Sequence, residues 1–202
     1  VITVPSRELA EQLTAVASQL ISFSDTEILL EKCIGGTDKK RQVAKLTQTQ
    51  PHIVIGTPGR IFDLMQENAL FVQTVQMMVV DEADMTFDLG FLETVDEIAS
   101  RMPENLQMSV FSATIPDKIK PFLKKYLGNP KVIQIENTQL VSPTIKNQLL
   151  VTKAQNPMDV LRQLLAMGHP YLVLIFVNTK QKADEVTKDL RNHNFKVATI
   201  HG

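Results

Sequence analysis

The sequence predicts an α/β fold, a doubly wound parallel sheet with helices on both faces. Three observations predict it. Segments of strand character alternate with segments of helical periodicity along nearly the whole chain. The strand segments are continuously apolar, as in Ile53-Val54-Ile55 and Met77-Met78-Val79-Val80, which is the pattern of strands buried on both sides. The 202 residues, 44% hydrophobic and 21% charged, are apolar enough to bury a core.

In chain order, Val1-Ile2-Thr3-Val4 reads as the tail of a buried strand. A sequence opening on such a strand is expected to belong to a longer protein. After Pro5, residues Leu9, Leu13, Val16, Ala17 and Leu20 fall on one helical stripe, expected to be buried. A strand near 28–34 and a helix near 38–47 follow, then a strand over His52-Ile53-Val54-Ile55 and a helix opening after Thr57-Pro58-Gly59. Strand 77–80, helix 91–101, strand 108–111, helix 116–126 and strand 132–135 complete the first series. Residues from Glu136 to Thr144 are polar and turn-rich, as in a linker. A second series offers strand 145–151, helix 157–167, strand 172–177, helix 180–193 and strand 196–200. The expected organisation is a first domain over 1–137, a linker over 138–144, and the start of a second α/β domain over 145–202.

Composition excludes several classes. With 21 Lys and Arg against 22 Asp and Glu, the net charge is −1, so a globally basic nucleic-acid binder is excluded while a local basic groove is not. No apolar run approaches the roughly 18 residues of a membrane span, and Arg7, Glu8 and Glu11 stand where a signal-peptide core would be, so a cytoplasmic location without membrane association is expected. The single Cys33 has no disulfide partner in the chain and suits a small buried hydrophobe. His52, His169, His193 and His201 lack metal-ligand spacing, and Lys118, Lys120, Lys124 and Lys125 suit a solvated helix face, as do Lys39, Lys40 and Arg41.

In open parallel sheets functional groups gather beyond the carboxyl ends of the strands. After Met77–Val80 come Asp81-Glu82-Ala83-Asp84, carboxylates at an apolar strand tip. The first suits a hydrated Mg²⁺ beside a triphosphate and the second suits orienting the attacking water; a solvated acidic turn has the same composition. Ser112-Ala113-Thr114 follows the next strand, with hydroxyls placed to bond a carboxylate such as Asp84 or to cap a helix. Gly56-Thr57-Pro58-Gly59-Arg60 puts a hydroxyl, an N1 proline and a cation at a helix start, a place that favours phosphate. Pro5-Ser6-Arg7-Glu8 and Gly35-Gly36-Thr37 stand after two other strands. Each is an ordinary turn on its own; on one rim they would hold a nucleic-acid backbone without reading bases.

The ordered set Pro5-Ser6-Arg7-Glu8-Leu9-Ala10, Gly35-Gly36 with Gln42, Thr57-Pro58-Gly59-Arg60, Asp81-Glu82-Ala83-Asp84 and Ser112-Ala113-Thr114 resembles the motifs of DEAD-box RNA helicases. Leu174-Ile175-Phe176-Val177-Asn178-Thr179 resembles a further motif of that family. Ile61-Phe62-Asp63, Asp88-Leu89-Gly90-Phe91 and Arg101-Met102-Pro103 most resemble its cold-shock branch in Gram-positive bacteria. The resemblance implies two RecA-like domains, the second truncated here, that close over ATP and RNA and unwind short duplexes. By the same resemblance Asp81 would bind Mg²⁺, Glu82 would activate water, and Asp84, Ser112 and Thr114 would couple the nucleotide site to RNA. Pro5, Arg7, Gly36, Thr57, Gly59, Arg60 and Thr179 would contact RNA, and partners from ribosome assembly or RNA decay would be compatible. Ser6 departs from the usual Thr of its motif, and no G-x-x-x-x-G-K-[ST] loop, adenine-recognising glutamine motif or arginine-finger motif occurs. The chain alone is therefore expected neither to hydrolyse ATP nor to unwind RNA. A non-catalytic RNA-binding module and a Mg²⁺-dependent phosphatase or nuclease using Asp81, Glu82 and Asp84 remain as alternatives.

Overall fold

The computed structural model describes residues 1–135, 145–152 and 156–201. The chain divides into two compact units, Val1–Ile133 and Gln134–Gly202.

The first unit is built on a five-stranded sheet of β1 (Ile2–Thr3), β2 (Leu30–Cys33), β3 (Ile53–Gly56), β4 (Met77–Val80) and β5 (Gln107–Val110). All pairings are parallel and the order is β2-β3-β1-β4-β5. Alternation along the strands feeds two cores. Ile2, Val4, Ile53, Ile55 and Leu30 point to one face, where α1 (Arg7–Ile21) covers them with Leu9, Ala10, Leu13 and Ala17. Val54, Cys33, Met78 and Val80 point to the other, against α2 (Lys39–Gln48), α3 (Pro58–Gln66), α5 (Leu92–Ser100) and α6 (Lys120–Leu127). Cys33 is fully buried, and that burial pushes its thiol up to about 12. It packs as an apolar side chain.

Local chemistry starts the helices where the sequence suggested. Ser6 Oγ accepts from Leu9 N at 3.2 Å to cap α1, and Asp38 Oδ1 accepts from Lys40 N and Arg41 N to cap α2. Pro58 opens α3, where a missing N–H leaves nothing unsatisfied.

Several expectations need correction. The α1 stripe is only partly buried: Val16 is 56% and Leu20 68% exposed. Its 15 residues reach about 22 Å at helical rise, whereas four-residue strands reach about 13 Å, so the last turns of α1 run past the apolar sheet. A short helix, α4 (Ala83–Asp88), follows β4 where no helix was expected, and a 3-10 turn at Asp117–Ile119 replaces the first turn of the helix predicted from 116. Residues 132–135 form no strand; Val132, Ile133 and Ile135 are exposed and no described backbone hydrogen bond pairs them with another segment.

The second unit contains α7 (Pro157–Gly168) and α8 (Lys180–Asn192), capped by Asn156 and Thr179. Arg162 Nη1 binds both carboxylate oxygens of Asp189 at 2.8 Å, joining the two helices. The strands predicted over 145–151, 172–177 and 196–200 are not formed among the described residues. An apolar run satisfies its amides as a strand only beside another strand, and none of these segments has one. The predicted linker 138–144 lies outside the described residues. No helix among the described residues is long and apolar enough to cross a membrane.

Candidate functional site

Parallel pairing puts all five carboxyl ends on one rim. The register aligns Cys33 with Gly56, Gly56 with Thr3, Thr3 with Val80, and Val80 with Val110, so the strands end level. The ladder runs on into the loops: Val4 N donates to Gly56 O, Thr57 N to Cys33 O, Asp81 N to Thr3 O and Phe111 N to Val80 O, at 2.9–3.0 Å. The five loops singled out in the sequence therefore emerge side by side.

At the β4 tip the chain turns abruptly. Glu82 has φ 46° and ψ 53°, a left-handed conformation unusual for a residue with a side chain, and it sits directly before α4. Asp81 Oδ1 accepts from Glu82 N at 2.9 Å. Among the described residues nothing bonds Asp81 Oδ2 or the Glu82 carboxylate, and both residues are partly exposed. An acid with one oxygen anchored by backbone and the other open fits a hydrated divalent cation, a hard ion that keeps several waters.

Asp84 is turned elsewhere. Its Oδ2 accepts from Thr114 Oγ1 at 2.8 Å and Thr114 N at 2.9 Å, and its own amide donates to Ser112 Oγ at 3.0 Å. Ala83 N donates to Phe111 O at 3.0 Å, and Ser112 Oγ donates to Thr114 O at 2.5 Å. The start of α4 is thus suspended from the segment leaving β5. Burial alone would raise the Asp84 carboxyl, but the Thr114 hydroxyl and amide, with the Met85 amide, outweigh it and hold the group below the ordinary aspartate range.

Beside these acids lies a groove of about 550 Å³ lined by Pro5, Ser6, Arg7, Glu8, Gly35, Thr57, Gly59, Arg60, Asp63 and Phe91. Pro5, Arg7, Thr57, Gly59 and Arg60 from the sequence reading all meet here. Gly36 does not line it but lies next to it, because the Arg7 guanidinium rests on the Gly35-Gly36 turn. A Cβ at either glycine would come within 3.0 Å of an Arg7 nitrogen, and Gly36 also has φ 85°. Arg60 is 9% exposed, with Nη1 donating to Thr37 Oγ1 at 3.2 Å and Gln42 Oε1 at 3.0 Å and Nη2 to Thr37 O at 3.1 Å. Gln42 passes the connection to Glu31 and the Lys32 carbonyl at 2.8 Å each. Thr179 belongs to the second unit, where its hydroxyl accepts from Lys182 N at 3.1 Å.

Sequence reasoning missed two groove residues, Asp63 and Phe91. Both stood in stretches noticed only as texture. The available signal was spacing: Asp63 falls one helical turn after Gly59, and Phe91 follows Gly90, whose φ of 80° turns the chain between α4 and α5.

Comparison with known proteins accords with this geometry. Residues 1–122 match the model of the DEAD/DEAH box helicases. The chain belongs to that family. Over all 202 residues it is 50% identical to the DEAD-box ATP-dependent RNA helicase CshB of Listeria monocytogenes, covering 46% of that protein. It is 46% identical over 203 residues to CshB of Bacillus subtilis, again covering 46%. Among solved structures, Saccharomyces cerevisiae Dbp5 bound to RNA and ADP BeF3 matches the whole chain with TM-score 0.74 and 27% identity, over 50% of that chain. A DEAD box protein from Methanococcus jannaschii matches with TM-score 0.61 and 30% identity, over 53% of its chain. The first unit of this DEAD-box chain is thus a RecA-like sheet domain, and the family match takes in all five strand tips. The chain spans about half the length of the curated relatives it matches.

Proposed function

We propose that this chain supplies the hydrolytic acids and much of the RNA-holding groove of an ATP-dependent RNA helicase. The observation that carries the reading is the pairing of Asp84 with Thr114 and Ser112 on the same rim as the Arg7 groove. The names of the relatives, ATP-dependent RNA helicases, and the RNA-bound state of Dbp5 support it.

In this reading Asp81 holds Mg²⁺ through water, and Glu82 orients and deprotonates the water that attacks the terminal phosphate. Bound with the nucleotide, Mg²⁺ supplies neutralisation of charge on the phosphate oxygens. Asp84 does not join a metal cluster. Its carboxylate ties the β4 tip to Thr114, so movement of the β5 loop is passed to Glu82 through α4. A nuclease or phosphatase using three converging carboxylates is disfavoured by that orientation. Pro5, Arg7, Gly36, Thr57 and Gly59 form the backbone cradle, Arg7 supplying the exposed cation and the start of α3 its amides. Arg60, its Nη atoms taken by Thr37 and Gln42, keeps the Gly35–Thr37 turn against α3. In the second unit Thr179 adds a further RNA contact.

The chain has no glycine-rich lysine loop, and the amides and cation that cradle the β- and γ-phosphates in related enzymes are therefore not among these residues. The test uses labelled oligouridine and the 202-residue chain. Binding should weaken on Arg7→Ala by about one phosphate contact's share of the salt dependence. With ATP, Mg²⁺ and RNA the chain alone should show no turnover above background. RNA binding indifferent to Arg7→Ala would defeat the groove assignment, and multiple turnover by the chain alone would defeat the view that it lacks the phosphate loop's function.

A further inference from the structure

A groove that only holds a sugar-phosphate backbone needs cations, hydroxyls and amides. This one also contains an aromatic ring and a carboxylate. Phe91 lines it together with Arg7, Thr57 and Gly59, and so does Asp63. Neither suits a phosphate. A phenyl ring offers no hydrogen bond to an anion, and Asp63 repels one. Both suit the uncharged part of a nucleotide: ring faces stack on bases or pack against ribose, and a carboxylate accepts from a ribose hydroxyl or a base N–H.

Local structure holds both side chains in place. Gly90, with φ 80°, reverses the chain after α4, and Phe91 N then donates to Thr86 O at 3.0 Å while Phe91 O accepts from Val95 N at 2.9 Å, opening α5. The backbone at Phe91 is therefore fixed on both sides, and its side chain is neither fully buried in the core nor free in solvent. The following Leu92 packs into the large core. Asp63 lies four residues after Gly59 on α3, hence on the same helix face, and a Cβ at Gly59 would meet nothing within 4 Å, so that face is open to a ligand.

We propose that Phe91, seconded by Asp63, forms a nucleoside-contacting wall of the groove, giving the chain affinity for the base and ribose of bound RNA in addition to its phosphates. The contact is tolerant of base identity, because every base has a π-face. This rests on the RNA reading of the groove. It also links the two halves of the site covalently, since only α4 and one turn separate Phe91 from Glu82.

The experiment compares two labelled ligands of equal length, oligouridine and an abasic ribose-phosphate oligomer, by fluorescence anisotropy with the full 202-residue chain. The expected result is that Phe91→Ala weakens oligouridine binding on the order of ten-fold, in line with the loss of one base–aromatic stack, and leaves abasic binding unchanged. Phe91→Leu, which keeps an apolar side chain in case alanine unsettles the fold, should behave like Phe91→Ala, while Phe91→Trp should keep the preference for oligouridine. Equal losses on both ligands with the leucine variant, or no loss on oligouridine, would overturn the proposal. Arg7→Ala serves as the separate control: it should weaken both ligands alike, and its failure to do so would count against the RNA groove itself and not against Phe91 alone.

Discussion

The two units carry the same kind of sequence and reach different ends. In Val1–Ile133, apolar runs such as Ile53-Val54-Ile55 and Met77–Val80 lie in a five-stranded sheet with Ile55, Met78 and Val80 fully buried. In Gln134–Gly202, the equally apolar Leu172–Val177 has Leu174 71% and Phe176 90% exposed. The helices of both units form. A helix satisfies its amides within its own segment, whereas a strand depends on a neighbour. Apolar sequence is thus sufficient to mark a strand but not to make one.

The sharpest way to break this contrast is hydrogen exchange. Amides of Val54, Ile55, Met78 and Val80 should exchange slower than those of residues 172–177 by a thousand-fold or more, on the order of the gap between core and frayed segments. Equal protection would mean that the second unit has found strand partners. Next in size is core truncation. Ile61→Ala, at a fully buried position, should destabilise the first unit by about 2–5 kcal/mol in denaturant unfolding, while Leu174→Ala should change stability by less than about 0.5 kcal/mol.

Asp84→Asn comes third, at about 1 kcal/mol, because it weakens the acceptor that receives both Thr114 donors. The sign of its pH dependence follows from the direction of its shift. A carboxyl held below its unfolded value adds stability that is fully present above the ordinary aspartate range and is lost as pH falls through the depressed value. The Asn variant should lack that part of the acid limb in a pH series of thermal melts. The smallest effect distinguishes the two ends of α1: Leu20→Ser should stay within about 0.5 kcal/mol, while Leu13→Ser, in the small core, should exceed it.

Much of the site was readable from residue order because a parallel sheet converts order into position. Once β1 to β5 are parallel and level, Arg7, Gly36, Thr57, Asp81 and Ser112 have nowhere to go but one rim. What sequence could not provide was direction. Nothing in Asp81-Glu82-Ala83-Asp84 says that Asp84 faces Thr114 while Asp81 stays open, since that depends on the left-handed turn at Glu82 and the α4 helix it starts. Arg60 looked like a free cation, and only three-dimensional packing brings Thr37 and Gln42 to its guanidinium. The exposed end of α1 escaped the periodicity reading because a hydrophobic stripe does not encode how long the sheet beneath it is.

The twist at Glu82 has an evolutionary edge. Asparagine tolerates that backbone conformation better than glutamate, by roughly 1 kcal/mol of left-handed strain. A selection that rewarded heat resistance alone would therefore tend to replace the acid, and a lineage that keeps it there accepts a softer fold for the sake of its carboxylate.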